Sequence, residues 1–411
     1  MTNTPLDYHI IIVGGGIAGL TLASLLAQSS LRIAIIDTGP LSHPLQLEHY
    51  DTRVSAINRA SENIFRHLKI WKKIKQIRLS SYEKMIVTDT ASQKKLEFDC
   101  ADIGEPNLGH IIENQVMRAL LEDYLHEHTE RITLFPHFQI SDVQIGPHQG
   151  QLENSNGKKL NFKLLIGADG KASWVRKKLG FSLTQKDYEH TALVATLKTQ
   201  HPHNQIAYQY FLEAGPLAFL PLNDPHTCSL VWSSPPHQAQ EHLALSKQAF
   251  ETALTQAVHS DLGTVTLLSE RHLFPLHYQH AQRYTQKRVA LIGDAAHTLH
   301  PMAGLGLNLG LLDAACLAEN LLAAHAQQRD LGLEKTLRRY ERQQKTYNTL
   351  TLQTINFLKT FFCHTSPPTT LLKHLGLLAV NHASPIKNFL TRYALGLTGD
   401  LPNFAKLKSI Q

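Results

Sequence analysis

A glycine-rich turn between an apolar run and a helical pattern constrains the fold of this chain more than any other feature. Residues 8–13 are apolar and mostly β-branched, as expected of a strand buried on both faces. The turn after this strand has the spacing Gly-x-Gly-x-x-Gly, with glycines at Gly14, Gly16 and Gly19. In that pattern the glycines permit a tight turn, close approach of the backbone to a pyrophosphate, and close packing of a helix on the strand. The sequence therefore predicts a dinucleotide site at the start of a helix.

The residues after the turn extend this unit to a βαβ motif. A helix is predicted over 17–28, and a second buried strand over 32–37 ends in Asp37, 18 residues after Gly19. A carboxylate at that strand end can hydrogen-bond the ribose of an adenosine. The motif by itself does not distinguish NAD from FAD.

Two later segments favour FAD. Residues 167–176 follow a predicted strand and carry Asp169, and residues 293–308 follow another and carry Asp294 before a glycine-rich helix start. A carboxylate at a strand end can bind polyol hydroxyls, and the free N–H groups of a helix start can face an electron-rich ring edge. NAD contains neither a ribitol nor an isoalloxazine ring.

The middle of the chain has a strand-like period, which predicts a separate antiparallel sheet. Its predicted strands are 191–198, 205–213, 217–222 and 227–233. Alternate residues of the second strand share one face, and the pattern leaves open whether that face lines a pocket or belongs to the core: Ile206, Tyr208, Tyr210 and Leu212.

Composition excludes disordered and fibrous classes, because 43% of the 411 residues are hydrophobic and 18% are charged. We expect a cytoplasmic enzyme or binding protein without a signal peptide or membrane span, and four buried thiols, because the cysteines lie far apart. The histidine groups at 201–203 and 272–280 lack the acidic or cysteine context of a metal site, so we expect no metal.

Charge is concentrated near the C-terminus, where residues 331–411 hold eleven Lys and Arg against three Asp and Glu. A basic, leucine-rich region of this kind can meet an anionic membrane or an acidic partner, or can simply present solvated helix faces. No nucleic-acid motif accompanies the charge, so no nucleic-acid binding is expected.

Taken together, the three glycine and aspartate motifs resemble those of the class A flavoprotein aromatic hydroxylases, over residues 8 to about 400. Segments at 53–58, 108–114, 192–196 and 215–222 are similar to the ubiquinone-biosynthesis hydroxylases of the UbiH, UbiF and VisC type, most of all to the VisC (UbiI) 2-polyprenylphenol hydroxylases. The resemblance implies an α/β fold with a Rossmann-like FAD-binding domain of the p-hydroxybenzoate hydroxylase type over 1–180 and 275–330. It also implies an antiparallel-sheet substrate domain over 181–274 and a helical C-terminal region over 331–411.

The resemblance assigns cofactor-binding roles by motif and identifies no catalytic residue. The ADP half of FAD would be held by Gly14, Gly16, Gly19 and Asp37, with Arg53 and Asp169 near the pyrophosphate. The ribitol and flavin ring would be held by Asp294, Pro301 and the backbone of Gly306, Leu307 and Asn308. One departure is Leu305, which stands where the family usually has glutamine. His297 receives no role.

Family chemistry implies that NADPH or NADH reduces the flavin and that a flavin C4a-hydroperoxide transfers oxygen to the ring of a prenylated phenol. Alternatives are another ring hydroxylase of the same pathway, a hydroxylase of a small soluble aromatic, and a noncatalytic FAD-containing assembly subunit. The resemblance leaves open a homo-oligomer and a peripheral association of 331–411 with the inner face of the membrane or with pathway proteins.

Overall fold

The computed structural model describes residues 5–258, 261–298, 306–363 and 384–406, without the side chains of 354–363, 384 and 386. Pro301, Leu305 and the leucine-rich stretch 371–378 therefore lie outside the described residues.

In the described parts the strands are β1 (Tyr8–Val13), β2 (Ile33–Ile36), β3 (Val54–Ile57), β4 (Ser80–Tyr82), β5 (Lys84–Asp89), β6 (Lys94–Asp99), β7 (Gly109–Glu113), β8 (Ile132–Phe135), β9 (Ile140–Ile145), β10 (Gly150–Asn154), β11 (Lys159–Gly167), β12 (Leu183–Thr199), β13 (Ile206–Leu212), β14 (Gly215–Pro221), β15 (Thr227–Ser234), β16 (Val265–Leu267), β17 (His272–Ala281), β18 (Thr285–Gln286), β19 (Val289–Leu291) and β20 (His297–Thr298). The α-helices of the same parts are α1 (Ile17–Leu26), α2 (Arg59–His67), α3 (Trp71–Ile77), α4 (Asn114–His126), α5 (Trp174–Lys178), α6 (Pro236–Ala244), α7 (Lys247–Ala257), α8 (Gly306–Ala326), α9 (Glu334–Cys363) and α10 (Ser384–Ala394).

The first sheet is built on the βαβ unit predicted from the glycine turn. Its main strand order is β18-β19-β11-β1-β2-β8, in which β19, β11, β1, β2 and β8 are parallel, and β10 and β9 extend it beside β11. Helices α1 and α8 pack together against this sheet, and both are apolar and largely buried. Because parallel strands all end at one edge, the loops after β1, β11 and β19 meet there.

Among the described residues, α8 is long and apolar enough to cross a membrane, yet most of it is buried inside the structure. A core helix of a parallel α/β domain has the same composition, because it is covered on nearly all sides.

The second sheet has the order β20-β17-β12-β15-β14-β13-β5-β6, with β16 on β12. It draws β5 and β6 from residues 84–99, and β17 runs to Ala281, so the sheet extends beyond the segment 181–274 that the sequence indicated. A small third sheet, β3-β7-β4, lies next to α2 in the chain.

The two faces of the second sheet have different neighbours, which answers the question left open by the sequence. Tyr208 and Tyr210 are buried in one cluster with Phe250 and Leu254 of α7. The face of Ile206, Tyr208, Tyr210 and Leu212 is therefore core, and the opposite face is turned toward the first domain.

Helix α10 is bound to the main body of the protein through its charged side chains. The Lys387 ammonium lies 2.7 Å from Asp102 Oδ2, and Arg392 Nη2 donates to the Ile103 carbonyl at 2.8 Å. Leu395 is buried in one cluster with Cys100. Lys387 and Arg392 belong to the basic region that the sequence analysis considered for an outside partner, and both make contacts within the protein. Cys100, Cys228 and Cys316 are free and buried, as expected.

Arg288 joins segments that are far apart in the sequence. Its guanidinium is fully buried and donates to the carbonyls of Lys163 and Pro147 at 2.9 and 3.0 Å. It also forms a two-pronged ion pair with the Asp330 carboxylate, at 3.0 and 2.5 Å. One side chain therefore ties β11, the loop before β10 and the connection between α8 and α9.

We expect Arg288→Met to lower the free energy of unfolding by about 3–5 kcal/mol, because it leaves two carbonyls and a partly buried carboxylate without their partner. Thermal and urea unfolding would measure the loss. The matched control is Arg338→Met, which breaks an ion pair with Glu334 in which both side chains are at least half exposed. This control should change stability by less than about 0.5 kcal/mol, and equal losses in the two variants would contradict the prediction.

Candidate functional site

The glycines of the first turn have different structural duties. Gly14 has φ +111°, and a Cβ atom added there would lie 2.2 Å from the Ala168 carbonyl oxygen. A Cβ added at Gly19 would lie 2.2 Å from the Gly14 carbonyl oxygen. These two glycines are required by packing alone, since no side chain fits between the turn, α1 and the loop after β11.

Gly16 is different, because a Cβ added there would meet no atom of the described residues within 4 Å. Gly16 is the N-cap of α1 and no side chain caps this helix, so the first-turn N–H groups of α1 have no capping partner. The open space beside Gly16, together with the positive end of the helix dipole, forms a cradle for an anion.

Asp37 holds this turn in place. Its Oδ2 accepts from the Gly15 N–H at 2.7 Å, and its Oδ1 accepts from the Gly39 N–H at 2.7 Å. The carboxylate therefore links the end of β2 to the glycine turn. It is also partly exposed, and the ribose contact expected from its position in the sequence stays a prediction.

Asp169 lies directly behind the turn and caps α5. Its Oδ2 accepts from the Val175 N–H at 3.0 Å, while its Oδ1 is buried without a hydrogen-bond partner. Burial raises the pKa of this carboxyl, against hydrogen bonds from Ser173 and the start of α5 that lower it. An unpaired buried oxygen next to Gly14 fits a site that is completed by a donor from a bound group.

Asp294 lies in the short 3₁₀ turn after β19. Its side chain is exposed to solvent, yet surrounding protein raises its pKa, an effect opposed by the charges of His297, Arg53 and Lys171. Exposure to solvent and a raised pKa occur together when a carboxylate faces a solvent-filled cleft with protein on most sides. Arg53 itself is exposed, and its guanidinium lies 5.6 Å from the centre of the Phe274 ring on β17. We infer that Asp294 faces a cleft of this kind, between the first domain and the second sheet.

The start of α8 is fixed by the side chain of Asn308. This amide is buried; its Oδ1 accepts from the Asn58 N–H at 3.0 Å and its Nδ2 donates to the Ala56 carbonyl at 2.7 Å. A Cβ added at Gly306 would meet no atom of the described residues within 4 Å, and Leu307 is half-buried. The backbone of the first turn is therefore held against the end of β3.

The sequence motifs converge at one point. Gly293 has φ +57°, and a Cβ added at Gly310 of α8 would lie 3.2 Å from the Gly293 Cα and 3.6 Å from the Ala18 Cβ of α1. The cradle at Gly16, the orphaned Asp169 oxygen and the cleft at Asp294 fit a dinucleotide that also carries a polyol. FAD has that composition, and these residues would hold it.

Comparison with known proteins agrees with this geometry. Residues 7–353 match the family model described as FAD binding domain. The chain is 32% identical to the ubiquinone biosynthesis monooxygenase COQ6, mitochondrial, of Xenopus tropicalis, over 95% of this chain and 94% of that protein. It is 31% identical to the 3-demethoxyubiquinol 3-hydroxylase of Escherichia coli K12, over 97% of this chain and 100% of that protein.

The chain belongs to this family of FAD-dependent monooxygenases. The resemblance to ubiquinone-biosynthesis flavin hydroxylases is therefore confirmed at the level of the family, and NAD(P)H is the reductant typical of it. Among solved structures, p-nitrophenol 4-monooxygenase PnpA of Pseudomonas putida has the same fold, with a TM-score of 0.77 at 16% identity over 94% of this chain and 98% of that one.

Sequence reasoning missed one residue that supports the site, Asp313. Asp313, in the middle of α8, is fully buried and bonds both the Gly293 turn and His297. A lone aspartate inside an apolar helix was the available signal, since a buried carboxylate requires a partner. Among the described residues, no group of three His, Cys, Asp or Glu side chains is arranged to hold a metal.

We expect Gly16→Ala to weaken FAD binding at least tenfold, about 1.4 kcal/mol, while apo-protein stability changes little. The added methyl group enters the space of the ligand but meets no protein atom, and φ −76°, ψ 170° suits alanine. Titration of apo-protein with FAD and apo-protein thermal unfolding are the two measurements. The control is Gly14→Ala, which should destabilise the apo-protein itself. Unchanged FAD affinity in Gly16→Ala would show that the pyrophosphate lies elsewhere.

Proposed function

We propose that this protein hydroxylates the aromatic ring of a polyprenylphenol intermediate of ubiquinone biosynthesis, with 2-polyprenylphenol as the substrate. The overall reaction uses one O2 and one NAD(P)H with a proton, and it yields the hydroxylated phenol, water and NAD(P)⁺. The relatives whose names place them in ubiquinone biosynthesis support the pathway, because each aligns with nearly the whole chain.

The observation that carries the substrate class is the inner face of the second sheet, the face turned toward the cleft. Phe274 contacts Arg53, and Tyr278 packs beside Leu309 of α8, which fixes the orientation of this face. Strand register places an uncharged row across four strands: Gln209, Ala218, Val231 and Val194.

This row favours an apolar, uncharged ring over a small aromatic acid. Three of its side chains are small and aliphatic. A substrate carboxylate would need a cation beside this row. The Arg53 guanidinium lies over the Phe274 ring in the neighbouring row, but it is within electrostatic range of the Asp294 carboxylate. Gln209 is the one hydrogen-bonding side chain of the row, and it is buried. We infer that its amide orients the phenol hydroxyl.

The remaining residues of the proposed site would hold the cofactor. When bound, FAD accepts hydride from NAD(P)H and activates O2 for transfer of one oxygen atom to the ring. The N–H groups at Gly16 and the start of α1 would bind its pyrophosphate, and Asp294 would accept hydrogen bonds from ribitol hydroxyls. The N–H groups at the start of α8 would stabilise negative charge on the reduced ring.

We expect purified protein to oxidise NADPH faster with a short-chain 2-prenylphenol and to release a product with one added oxygen, whose ring position is then determined. Gln209→Leu should lower kcat/KM about tenfold with unchanged FAD affinity, because a transition-state hydrogen bond is lost. The control is Gln205→Leu, at an exposed glutamine just before β13.

The outcomes separate the alternatives. Faster turnover with a demethoxyubiquinol-type ring would identify another hydroxylase of the pathway, and turnover of a small aromatic acid would reject the prenylated substrate. FAD binding without hydroxylation of any of these rings would favour an assembly subunit.

We also propose that the C-terminal region meets an anionic membrane surface, where a prenylated phenol partitions. The excess of cations over 331–411 supports this, although Lys387 and Arg392 are already engaged within the protein. Cosedimentation with anionic vesicles should decrease as salt rises, and neutral vesicles serve as the control. Absence of binding at low salt would contradict membrane docking.

A further inference from the structure

A buried ion pair lies behind the turn that carries Asp294. His297 Nε2 and Asp313 Oδ2 are 2.6 Å apart, and the two side chains are 1% and 0% exposed. Neither side chain reaches the solvent of the cleft, so neither is placed to contact FAD directly.

The Asp313 carboxylate connects four parts of the structure. Besides His297, its Oδ2 accepts from the Gly293 N–H at 2.9 Å, and its Oδ1 accepts from Asn348 Nδ2 of α9 at 3.0 Å. Gly293 is the residue immediately before Asp294, and it is packed closely against Gly310 and Ala18. A shift of the Asp313 carboxylate would therefore move the backbone from which Asp294 projects.

The surroundings of the pair favour the protonated form of His297. Burial lowers the pKa of His297, but the Asp313 carboxylate outweighs it and the net pKa is raised, with Asp294 adding to the effect. His280, paired with His297 across β17 and β20, has its pKa lowered to about 4 by burial and by the charges of His297 and Lys345, against Asp313, which raises it. The Tyr284 hydroxyl bridges His280 Nε2 at 3.0 Å and Asn348 Nδ2 at 3.3 Å.

A buried ion pair is not an efficient way to stabilise a core, because an apolar replacement of similar volume is often equal or better. The observed pair joins a cofactor-binding turn to two helices through one carboxylate, which an apolar pair cannot do. We propose that His297 and Asp313 are positioning residues, which fix the turn Gly293–Ala295 and thereby aim Asp294 at the FAD ribitol.

The test is a double-mutant cycle read out by FAD affinity of apo-protein and by apo-protein thermal unfolding. We expect Asp313→Asn to weaken FAD at least tenfold, because the asparagine lacks the negative charge that pairs with His297. Its NH2 group also replaces the oxygen that accepts from Asn348 Nδ2. His297→Gln should weaken FAD in the same direction. The double variant should be no weaker than the worse single variant, since the two side chains act as a unit.

The decisive arm places Asp313→Asn in an Asp294→Ala background. If the pair acts through Asp294, Asp313→Asn should change the FAD dissociation constant less than twofold there, while it still lowers the unfolding temperature. The matched control is Tyr340→Phe, which removes the 2.7 Å hydrogen bond to the Leu291 carbonyl at the end of β19. This control should lower stability and change FAD affinity less than threefold.

Three results would overturn the proposal. The first is unchanged FAD affinity in Asp313→Asn, and the second is an equal effect of Asp313→Asn with and without Asp294. The third is FAD affinity that follows the unfolding temperature in every variant, Tyr340→Phe included. If Asp313→Asn fails to fold, His297→Gln in the two backgrounds gives the same comparison. Hydroxylation is not measured in any arm, so failure here is distinct from failure of the proposed substrate.

Discussion

Close backbone approach at glycines is the constraint on which the rest of the structure depends. Gly14 and Gly19 let α1, the turn after β1 and the loop after β11 come together without side chains between them. Gly293 and Gly310 do the same for the turn after β19 and for α8. Loops that are far apart in the sequence thus meet at one edge of the sheet, where they leave N–H groups and carboxylates directed toward a shared cleft.

Buried charges hold these segments together where glycines allow them to meet. Arg288 with Asp330, and His297 with Asp313, each satisfy backbone groups from distant parts of the chain. Glu62 of α2 is a third case: burial opposes its ionisation, but His110, Arg59 and Arg66 lower its pKa to about 2. Such groups are costly to bury without partners, so each network favours one arrangement of the elements around it.

The two sheets have different roles because different elements cover their faces. The parallel sheet is covered by apolar helices, and its strand ends lie where we expect the cofactor to bind. The second sheet is covered on one face by α7, which leaves its other face to oppose the first domain. Oxygen transfer to a ring requires a dry surface above the cofactor. In the proposed function, a row of small aliphatic side chains with one amide would supply such a surface without a buried charge.

The sequence by itself determined the features that depend on short stretches of chain. The βαβ unit, the close packing at Gly14 and Gly19 and the carboxylates at strand ends follow from local periodicity and turn chemistry, and the same motifs indicate the family. Only the tertiary structure decided which face of β13 is core, how β5 and β6 join the second sheet, and that Lys387 pairs with Asp102. It also revealed Asp313 as the partner of His297. These features depend on which distant surface packs against a residue. The spacing of residues along the chain does not predict that surface.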